Sequence, residues 1–323
     1  MSLRKKRFSY RNHAVAAFLI FYSSGLAASV SNISKDMISI GLGFGTPQLK
    51  SVLETEGGNK VEFEPNVDTN FIVALGYEEY GISYGFKQNE DDEFKYGESD
   101  YTDFQFRFFM DPYTIELYYQ DYQGYYLKNY DEVLPGDTSP TILPELNSKR
   151  HAIIFIYTFN DDFSLNHAYS TTRLQKESGG SWLLHTSISF DKFDNNKSRM
   201  IPAASPNDYG LLNDLTGFSS YSIAAGPGYS YNLIWGGFYV NATLAIIPSL
   251  KFRKLEFVDR QEEATKFEIQ NSSAKASLGW NEKAFKISLD FQYDATRVLL
   301  DDKSKAAAET MFVGLTYYWR FSN

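Results

Sequence analysis

The sequence predicts an all-β fold, a transmembrane antiparallel up-and-down β-barrel of about twelve strands. Three observations lead to this prediction. Apolar and polar residues alternate with a period of two, the alternating segments run for about ten residues, and aromatic residues crowd their ends. The 26 Phe, 24 Tyr and 4 Trp make up 17% of the chain. A tilted strand needs about ten residues to cross a membrane, and aromatic girdles line both interfaces of such barrels.

The first 28 residues predict a secretory signal peptide cut near Ala28, with residues 29–323 forming a single barrel domain. The basic stretch RKKR at residues 4–7 precedes the apolar stretch AVAAFLIFY at residues 14–22 and the small residues of SSGLAAS. This apolar core is too short to span a bilayer as a helix, which disfavours the alternative of a retained membrane anchor. The mature protein is therefore expected in the outer membrane of a Gram-negative bacterium.

The net charge of the chain limits the classes of partner that it can bind. The formal net charge is −9, from 31 Lys and Arg against 40 Asp and Glu. Five basic residues and no acidic residue lie in residues 1–28, so the mature charge is 26 − 40 = −14. This balance argues against nucleic acid as a partner. The chain has no cysteine, so no disulfide stabilises the exported fold.

Period-two alternation also predicts which way the side chains face. In KAFKISLDFQYD, residues 283–294, the apolar stripe is Phe285, Ile287, Leu289, Phe291 and Tyr293. Residues 103–108, 113–120 and 311–321 alternate in the same way. Apolar stripes should meet lipid and polar stripes the lumen. The polar faces predict seven lumen-facing residues: Arg107, Glu116, His185, Ser187, Lys286, Asp290 and Asp294.

The number of strands follows from the connections between them. Thirteen segments fit a strand: 36–46, 68–78, 80–88, 100–110, 113–126, 149–159, 165–174, 181–192, 217–231, 236–250, 266–279, 283–296 and 308–321. Long polar connections at 46–66, 128–148, 195–216 and 297–307 should be extracellular loops, and short turns near Asp111 and Trp235 should be periplasmic. Two periplasmic termini require an even number of strands. Residues 165–174 have the fewest apolar residues, so we predict twelve strands, with ten or fourteen as alternatives.

Two segments carry a family resemblance. LYYQDYQGYYLKN (117–129) and RLQKESGGSWLL (173–184) resemble the domain of unknown function 4421 family, with the clearest likeness from about residue 38 to residue 193. The shared features are Tyr-rich strands and a Gln-Lys-x-Ser-x-Gly-Ser segment. The resemblance implies an outer-membrane barrel and supplies no activity. Glycine is common in the family near the position of His185, so this histidine departs from the family pattern.

His185 and Ser187 are the candidate catalytic pair. They lie two residues apart, hence on one face of a strand, and their spacing resembles the His-x-Ser pair of the outer-membrane phospholipase. In such a pair a neutral histidine takes the serine proton, and Asn166, Asn232 and Asn241 are candidates to orient it. Two features disagree with this role: Ser187 is followed by ISFDKF rather than Asn-Gly-Arg, and the pair lies on the polar, lumen-facing stripe.

No other pattern indicates an active site, a metal or a cofactor. The remaining histidines do not cluster, and the glycine-rich segments 41–45 and 226–228 lack the helix and lysine of a phosphate-binding loop. The acidic runs 91–93 and 261–263 do not follow a calcium-loop template. We therefore predict a porin-like passive channel or a structural barrel, without enzymatic activity and in contact with outer-membrane lipid. A membrane-embedded lipid hydrolase using His185 and Ser187 is the alternative, and a homo-oligomer is left open.

Overall fold

Twelve antiparallel strands form one closed ring in the computed structural model, which describes residues 30–32, 37–67, 69–89, 93–171, 173–268, 271–300 and 303–322. The ring strands are β1 (Met37–Thr55), β2 (Thr69–Tyr77), β3 (Tyr80–Asn89), β4 (Asp100–Met110), β5 (Tyr113–Leu127), β6 (Ile142–Thr158), β7 (Gly179–Asp194), β8 (Leu215–Trp235), β9 (Phe238–Ile246 and Ser249–Phe257), β10 (Gln261–Glu268 and Ser272–Asn281), β11 (Phe285–Leu299) and β12 (Ser304–Ser322). The predicted signal peptide lies outside the described residues.

The pairing of the strands shows that the ring is closed. Each ring strand pairs with its neighbour in the sequence, and β12 pairs with β1 from Ser322 opposite Met37 to Ser304 opposite Thr55. The two pieces of β9 both pair with β8, and the two pieces of β10 pair with the matching pieces of β9, so each interrupted strand occupies one position in the ring. The predicted barrel of twelve strands is confirmed.

Residues 165–174 do not span the barrel, as predicted. They contain the short helix Asn166–Tyr169 and most of the short strand Arg173–Gln175, which pairs with Val30–Asn32. The connection to which they belong, residues 159–178, joins β6 to β7. It lies at the end of the barrel that carries the short turns 78–79, 111–112, 236–237 and 282–284. We call this end the short-turn end, and the opposite end the loop end.

The loop-end connections are shorter than the sequence predicted. Residues 46–66 were predicted to be a loop, but β1 continues to Thr55 and pairs with a further strand, Lys60–Glu64. Likewise β11 continues to Leu299 and β12 begins at Ser304, so only residues 300–303 connect them. At the loop end of β1 the adjacent residues Val52 and Leu53 are both buried, so the period-two alternation that reveals a strand disappears.

The remaining helical elements are single turns in loop-end connections. They are Glu93–Tyr96, Tyr130–Val133 and the 3₁₀ turn Gly210–Asp214. None of the described helices is long and apolar enough to cross a membrane.

The outer surface of the ring is apolar between two aromatic levels. On β7, Trp182, Leu184 and Ile188 are exposed, while Leu183 and His185 between them are buried. Trp182 and Phe190 are eight residues apart on this strand, about 27 Å along the chain and about 20 Å along the axis at the usual tilt of ~40°. This height matches the apolar band of an outer-membrane barrel, about 25 Å.

Both mouths of the ring are covered from within the described chain. Residues 159–178 fold into the short-turn mouth; we call this segment, residue 172 excepted, the plug. At the loop end a hydrophobic cluster, here called the cap, joins strand ends to loops. Its buried members include Leu53, Phe63, Tyr125, Leu127, Val133, Leu146, Phe193, Met200, Ile201, Tyr209, Leu212 and Leu215. Loop-to-loop hydrogen bonds support the cap, such as Ser205 Oγ to the Val133 carbonyl at 2.6 Å.

Candidate functional site in the barrel interior

A polar cavity of about 220 Å³ lies inside the ring, and we treat it as the candidate site. Six of the seven predicted lumen-facing residues line it: Arg107, His185, Ser187, Lys286, Asp290 and Asp294. The seventh, Glu116, is 3% exposed and contacts two cations of the interior. The structure therefore brings all seven residues to the interior face of the ring.

Glu116 forms an ion pair across the lumen. Its Oε2 accepts a hydrogen bond from Lys275 Nζ of β10 at 3.0 Å, and Arg107 Nε of β4 lies 3.9 Å from its Oε1. Tyr118 donates a further hydrogen bond to Oε2 at 2.5 Å. Because β5 and β10 are five positions apart in a ring of twelve, the Lys275 side chain crosses the lumen. A buried pair of this kind is costly to break, since either charge alone would be left uncompensated.

Several polar atoms around the cavity have no hydrogen-bond partner. They are His185 Nε2, Ser222 Oγ, Arg107 Nε and Asp290 Oδ1. His185 and Ser222 are each only 4% exposed. Unsatisfied buried groups are uncommon in native proteins, so each of these four atoms, which have no hydrogen-bond partner among the described residues, can bind water or a small polar molecule.

His185 and Ser187 face this cavity and not the lipid. The His185 ring packs against β8, where a Cβ on Gly228 would lie 3.1 Å from His185 Cδ2. Glycine at this position therefore leaves the space that the imidazole occupies. On the other face of β7, Trp182 and Ile188 are exposed. A lipid substrate would have to enter the barrel to reach the pair.

The three asparagines considered as orienting groups serve the plug instead. Asn166 Nδ2 donates to Asp111 Oδ1 at 2.6 Å. Asn232 Nδ2 donates to the Ser164 carbonyl at 2.9 Å. Asn241 accepts a hydrogen bond from Tyr169 at 2.6 Å. Each side chain is thus committed to holding residues 159–178 in the short-turn mouth.

Lys286 is the central anchor of the plug. Its Nζ donates to the carbonyl oxygens of His167 at 3.3 Å, Ala168, and Ser170 at 2.9 Å. These three carbonyls surround the end of the short helix Asn166–Tyr169, where backbone oxygens have no partner within the helix. The ammonium group supplies three donors, one for each carbonyl.

Asp111, in the turn between β4 and β5, fixes the other side of the plug. It accepts hydrogen bonds from Ser164 Oγ at 3.0 Å and from Asn166, and Arg173 Nε lies 3.4 Å from its Oδ2. Burial raises the pKa of the Asp111 carboxyl, against the lowering effect of the nearby Arg173.

His167 is a neutral, buried part of the plug. Its Nδ1 accepts a hydrogen bond from the Gln175 backbone N–H at 2.9 Å, so the ring proton belongs on Nε2. The ring contacts Tyr239 edge-on, with 4.9 Å between the ring centroids. Burial, with Lys286 and Arg320 nearby, lowers the pKa of His167 to about 3.

The sequence did not reveal Lys275 or the plug contacts. Lys275 lies in SSAKASLG, residues 272–279, where small residues on both faces hide the alternation. Many plug residues bind partners 52 to 132 positions away, such as Ala168 with Lys286, which are 118 positions apart. The weak strand signal of residues 165–174 was the one available indication that this segment is not part of the ring.

Within the described ranges, no group of three or more His, Asp, Glu or Cys side chains lies close enough to hold a metal ion. The interior thus offers ion pairs and unpaired polar groups, and no set of metal ligands among these residues.

Comparison with known protein families shows to which family the chain belongs. The model of a domain of unknown function, DUF4421, matches residues 33–321. The chain belongs to this family. The resemblance seen in the first half of the sequence is confirmed, and the DUF4421 match extends through β8 to β12, where the likeness in sequence was thin.

Solved structures give weaker likenesses. This DUF4421 chain is similar to the outer membrane protease OmpT from Escherichia coli, with 10% identity and a TM-score of 0.41, over 91% of this chain and 99% of that chain. It is also similar to outer-membrane expressed OmpT of Vibrio cholerae (9%, TM-score 0.32, 91% and 99%). A third is Ail, the attachment invasion locus protein of Yersinia pestis (10%, TM-score 0.19, 88% and 99%). No curated protein matches the chain.

Proposed function

We propose that this member of the DUF4421 family is a closed, non-conducting barrel of the outer membrane, a structural barrel rather than a porin-like channel. The observation that carries the proposal is the clamp of Lys286 on three carbonyls of the plug. A segment that merely rested in the mouth of an open pore would not need a buried cation from the ring to satisfy its backbone.

Three successive barriers along the axis support this proposal. The plug binds β1 through Ser39 and Thr171, whose hydroxyl oxygens are 2.6 Å apart, and β10 through Asn281. Above it, the bridge from Lys275 to Glu116 crosses the lumen. Above the bridge, the cap buries large apolar side chains such as Tyr125 and Tyr209. Breaking any one barrier leaves the other two in place.

Conductance in planar bilayers tests the proposal. We expect the purified protein to insert without producing steady current steps. The comparison variant lacks residues 161–177 and 197–212 and carries Glu116→Ala with Lys275→Ala. These changes remove most of the plug, most of the loop that covers the other mouth, and the bridge across the lumen. The barrel of this variant should be wide enough to conduct once the interior is exposed to water, and heat-modifiable migration on gels would show that it is folded.

Two outcomes decide between a closed barrel and a channel. Silence of the wild type together with steady steps in the shortened variant supports the closed barrel. Large, persistent steps from the wild type would overturn it in favour of the porin-like channel.

A further inference from the structure

Three rows of outward-facing side chains cross strands β5 to β9, one above another towards the loop end. These side chains point away from the barrel interior. Cross-strand partners place five aliphatic residues in one row around the ring: Leu117, Ile153, Ile188, Ile223 and Leu250. All five are exposed. Exposed aliphatic residues in a continuous row are expected where a barrel meets the hydrocarbon core of a membrane.

An aromatic row lies two residues further towards the loop end. Its members, again cross-strand partners, are Tyr119, His151, Phe190, Tyr221 and Phe252. Ring centroids are 4.9 Å apart for Tyr119 and His151, and 4.7 Å apart for Phe190 and Tyr221. Aromatic side chains at this level mark the boundary between hydrocarbon and headgroups.

The next row contains three lysines. Lys149 of β6 is the direct cross-strand partner of Lys192 of β7, Lys192 is the partner of Ser219, and Ser219 is the partner of Lys254 of β9. The lysine side chains are about two-fifths exposed, at 41%, 39% and 37%. Their ammonium groups therefore stand at headgroup level, directly above the aromatic row. We call these residues the lysine row.

Like charges directly opposite in a sheet are destabilising, so the pair Lys149 and Lys192 needs nearby anions. Acids bound the row on both sides, since Asp121 is the cross-strand partner of Lys149 and Glu263 is that of Lys254. Lys149 contacts Asp121 at 2.7 Å, Lys254 contacts Glu256 at 3.3 Å, and Lys192 contacts Asp194. An ammonium group has three donors, so a single carboxylate contact does not exhaust it. The acids lie beside or above the lysines, and the side towards the membrane is apolar.

The opposite side of the ring is arranged differently. There Lys50 of β1 is the cross-strand partner of Glu309, and Lys305 of β12 is the partner of Glu54. Both of these pairs join opposite charges, whereas Lys149 and Lys192 are like charges directly opposite each other. The lysine row is thus a property of β6 to β9, and not of the whole circumference.

We propose that the lysine row and the aromatic row beneath it bind the phosphate headgroup of an anionic lipid in the leaflet at the loop end. The phosphate lies between Lys149 and Lys192, and the acyl chains lie along the aromatic and aliphatic rows. Basic residues next to the membrane attract anionic headgroups by roughly 1 kcal/mol each, about fivefold in affinity. This inference requires the barrel to lie in a membrane and is independent of whether its lumen conducts.

Native mass spectrometry of the detergent-solubilised protein tests the site with short-chain phosphatidylglycerol as the probe and phosphatidylcholine as the neutral comparison. We expect phosphatidylglycerol to be retained preferentially. The double variant Lys149→Gln with Lys192→Gln should weaken its retention at least tenfold. The matched control, Lys50→Gln with Lys305→Gln, removes two lysines that also face outwards at the loop end, and should leave retention unchanged.

Heat-modifiable migration of each variant establishes that its barrel is folded before binding is compared. Equal loss in both double variants would show that overall charge decides binding, and would overturn the site. Competition by inorganic phosphate at the same concentration as the lipid would show a free-anion site and would overturn the lipid assignment. Failure of phosphate to compete, with loss confined to Lys149 and Lys192, supports the proposal.

Discussion

At the scale of single residues, the interior of this barrel is explained by packing and hydrogen bonding around the plug. His185 occupies space left by Gly228 of the neighbouring strand. Asn232, Asn241 and Lys286 each bind plug atoms. Asn232 and Lys286 satisfy carbonyl groups of the plug backbone, and Asn241 binds the Tyr169 hydroxyl.

The candidate pair His185 and Ser187 should accordingly have no catalytic role. Both face a cavity away from the lipid, and the asparagines that could orient the histidine are bound to the plug. We expect the purified protein to show no hydrolysis of phospholipid vesicles. His185→Ala and Ser187→Ala should show the same absence of hydrolysis. Robust hydrolysis by the wild type, lost in both folded variants, would establish the alternative of a lipid hydrolase.

His167 should make the plug sensitive to acid. Its pKa in the docked plug is about 3, against an ordinary value of 6.5, so the docked state resists protonation and a released plug takes up a proton below pH 6.5. The stabilisation is therefore complete above pH 6.5 and is lost as the pH falls from 6.5 towards 3. At about 1.4 kcal/mol per pH unit, docking should weaken by about 2 kcal/mol between pH 7 and pH 5.

Hydrogen exchange of the plug amides, corrected for intrinsic rates, measures this dependence. A protonated Nδ1 could no longer accept the hydrogen bond from Gln175, which is the local reason for the expected release. His167→Asn should remove the pH dependence, and His151→Asn, an exposed histidine on the outer face, should retain it. If hydrogen exchange of the plug amides depended on pH equally in the wild type and in His167→Asn, His167 would not be the group responsible.

At the scale of the elements, alternation was informative only where the two faces of a strand meet different surroundings. Within the membrane, β11 presents Ile287, Leu289 and Phe291 outwards and buries Lys286 and Ser288, as the sequence predicted. Beyond the membrane the alternation fades, and the ends of β1, β11 and β12 were missed.

Substitutions on the two faces of β11 should differ in their effect on stability. Leu289 is 41% exposed in the apolar band, between the cross-strand neighbours Leu278 and Leu315. Leu289→Arg should lower the free energy of unfolding in lipid by about 2–4 kcal/mol, the cost of arginine near the bilayer midplane. Asp290→Ala, on the lumen face, should cost far less, because it removes one hydrogen bond from Ser288. Equal effects in urea titrations of the two variants would contradict the assigned facing.

Glycines on the lumen face of β1 show how an element adjusts to its neighbour. A Cβ on Gly41 would lie 2.4 Å from the Tyr318 ring, and one on Gly45 would lie 2.4 Å from the Phe312 ring. Two aromatic side chains of β12 thus lie across glycines of β1, where the ring closes. The aromatic partners are more than 260 positions away in the sequence, so they could not be predicted from it.

At the scale of the whole molecule, the number of strands could be predicted, and the segments that cover the two mouths could not. An even number of crossings follows from chain direction alone, which is why residues 165–174 could be excluded from the ring. Whether they left the barrel or entered it depended on distant partners such as Asp111 and Lys286. The placement of residues 1–28 as a signal peptide stays a prediction.

Closure of the ring itself should be visible in the behaviour of the whole protein. Because β12 pairs with β1 along nineteen residue pairs, the ring has no free strand edge between them, and a closed barrel resists detergent until it is heated. The mature protein should fractionate with outer membranes, and unboiled samples should migrate faster on a denaturing gel than boiled ones.

Truncation after residue 303 removes β12 and exposes the edges of β1 and β11, so this variant should lose the fast-migrating form. Recovery of unboiled wild-type protein in the soluble periplasm would contradict the membrane barrel, since a surface with exposed Ile153, Ile188 and Ile223 would have no hydrocarbon to contact there.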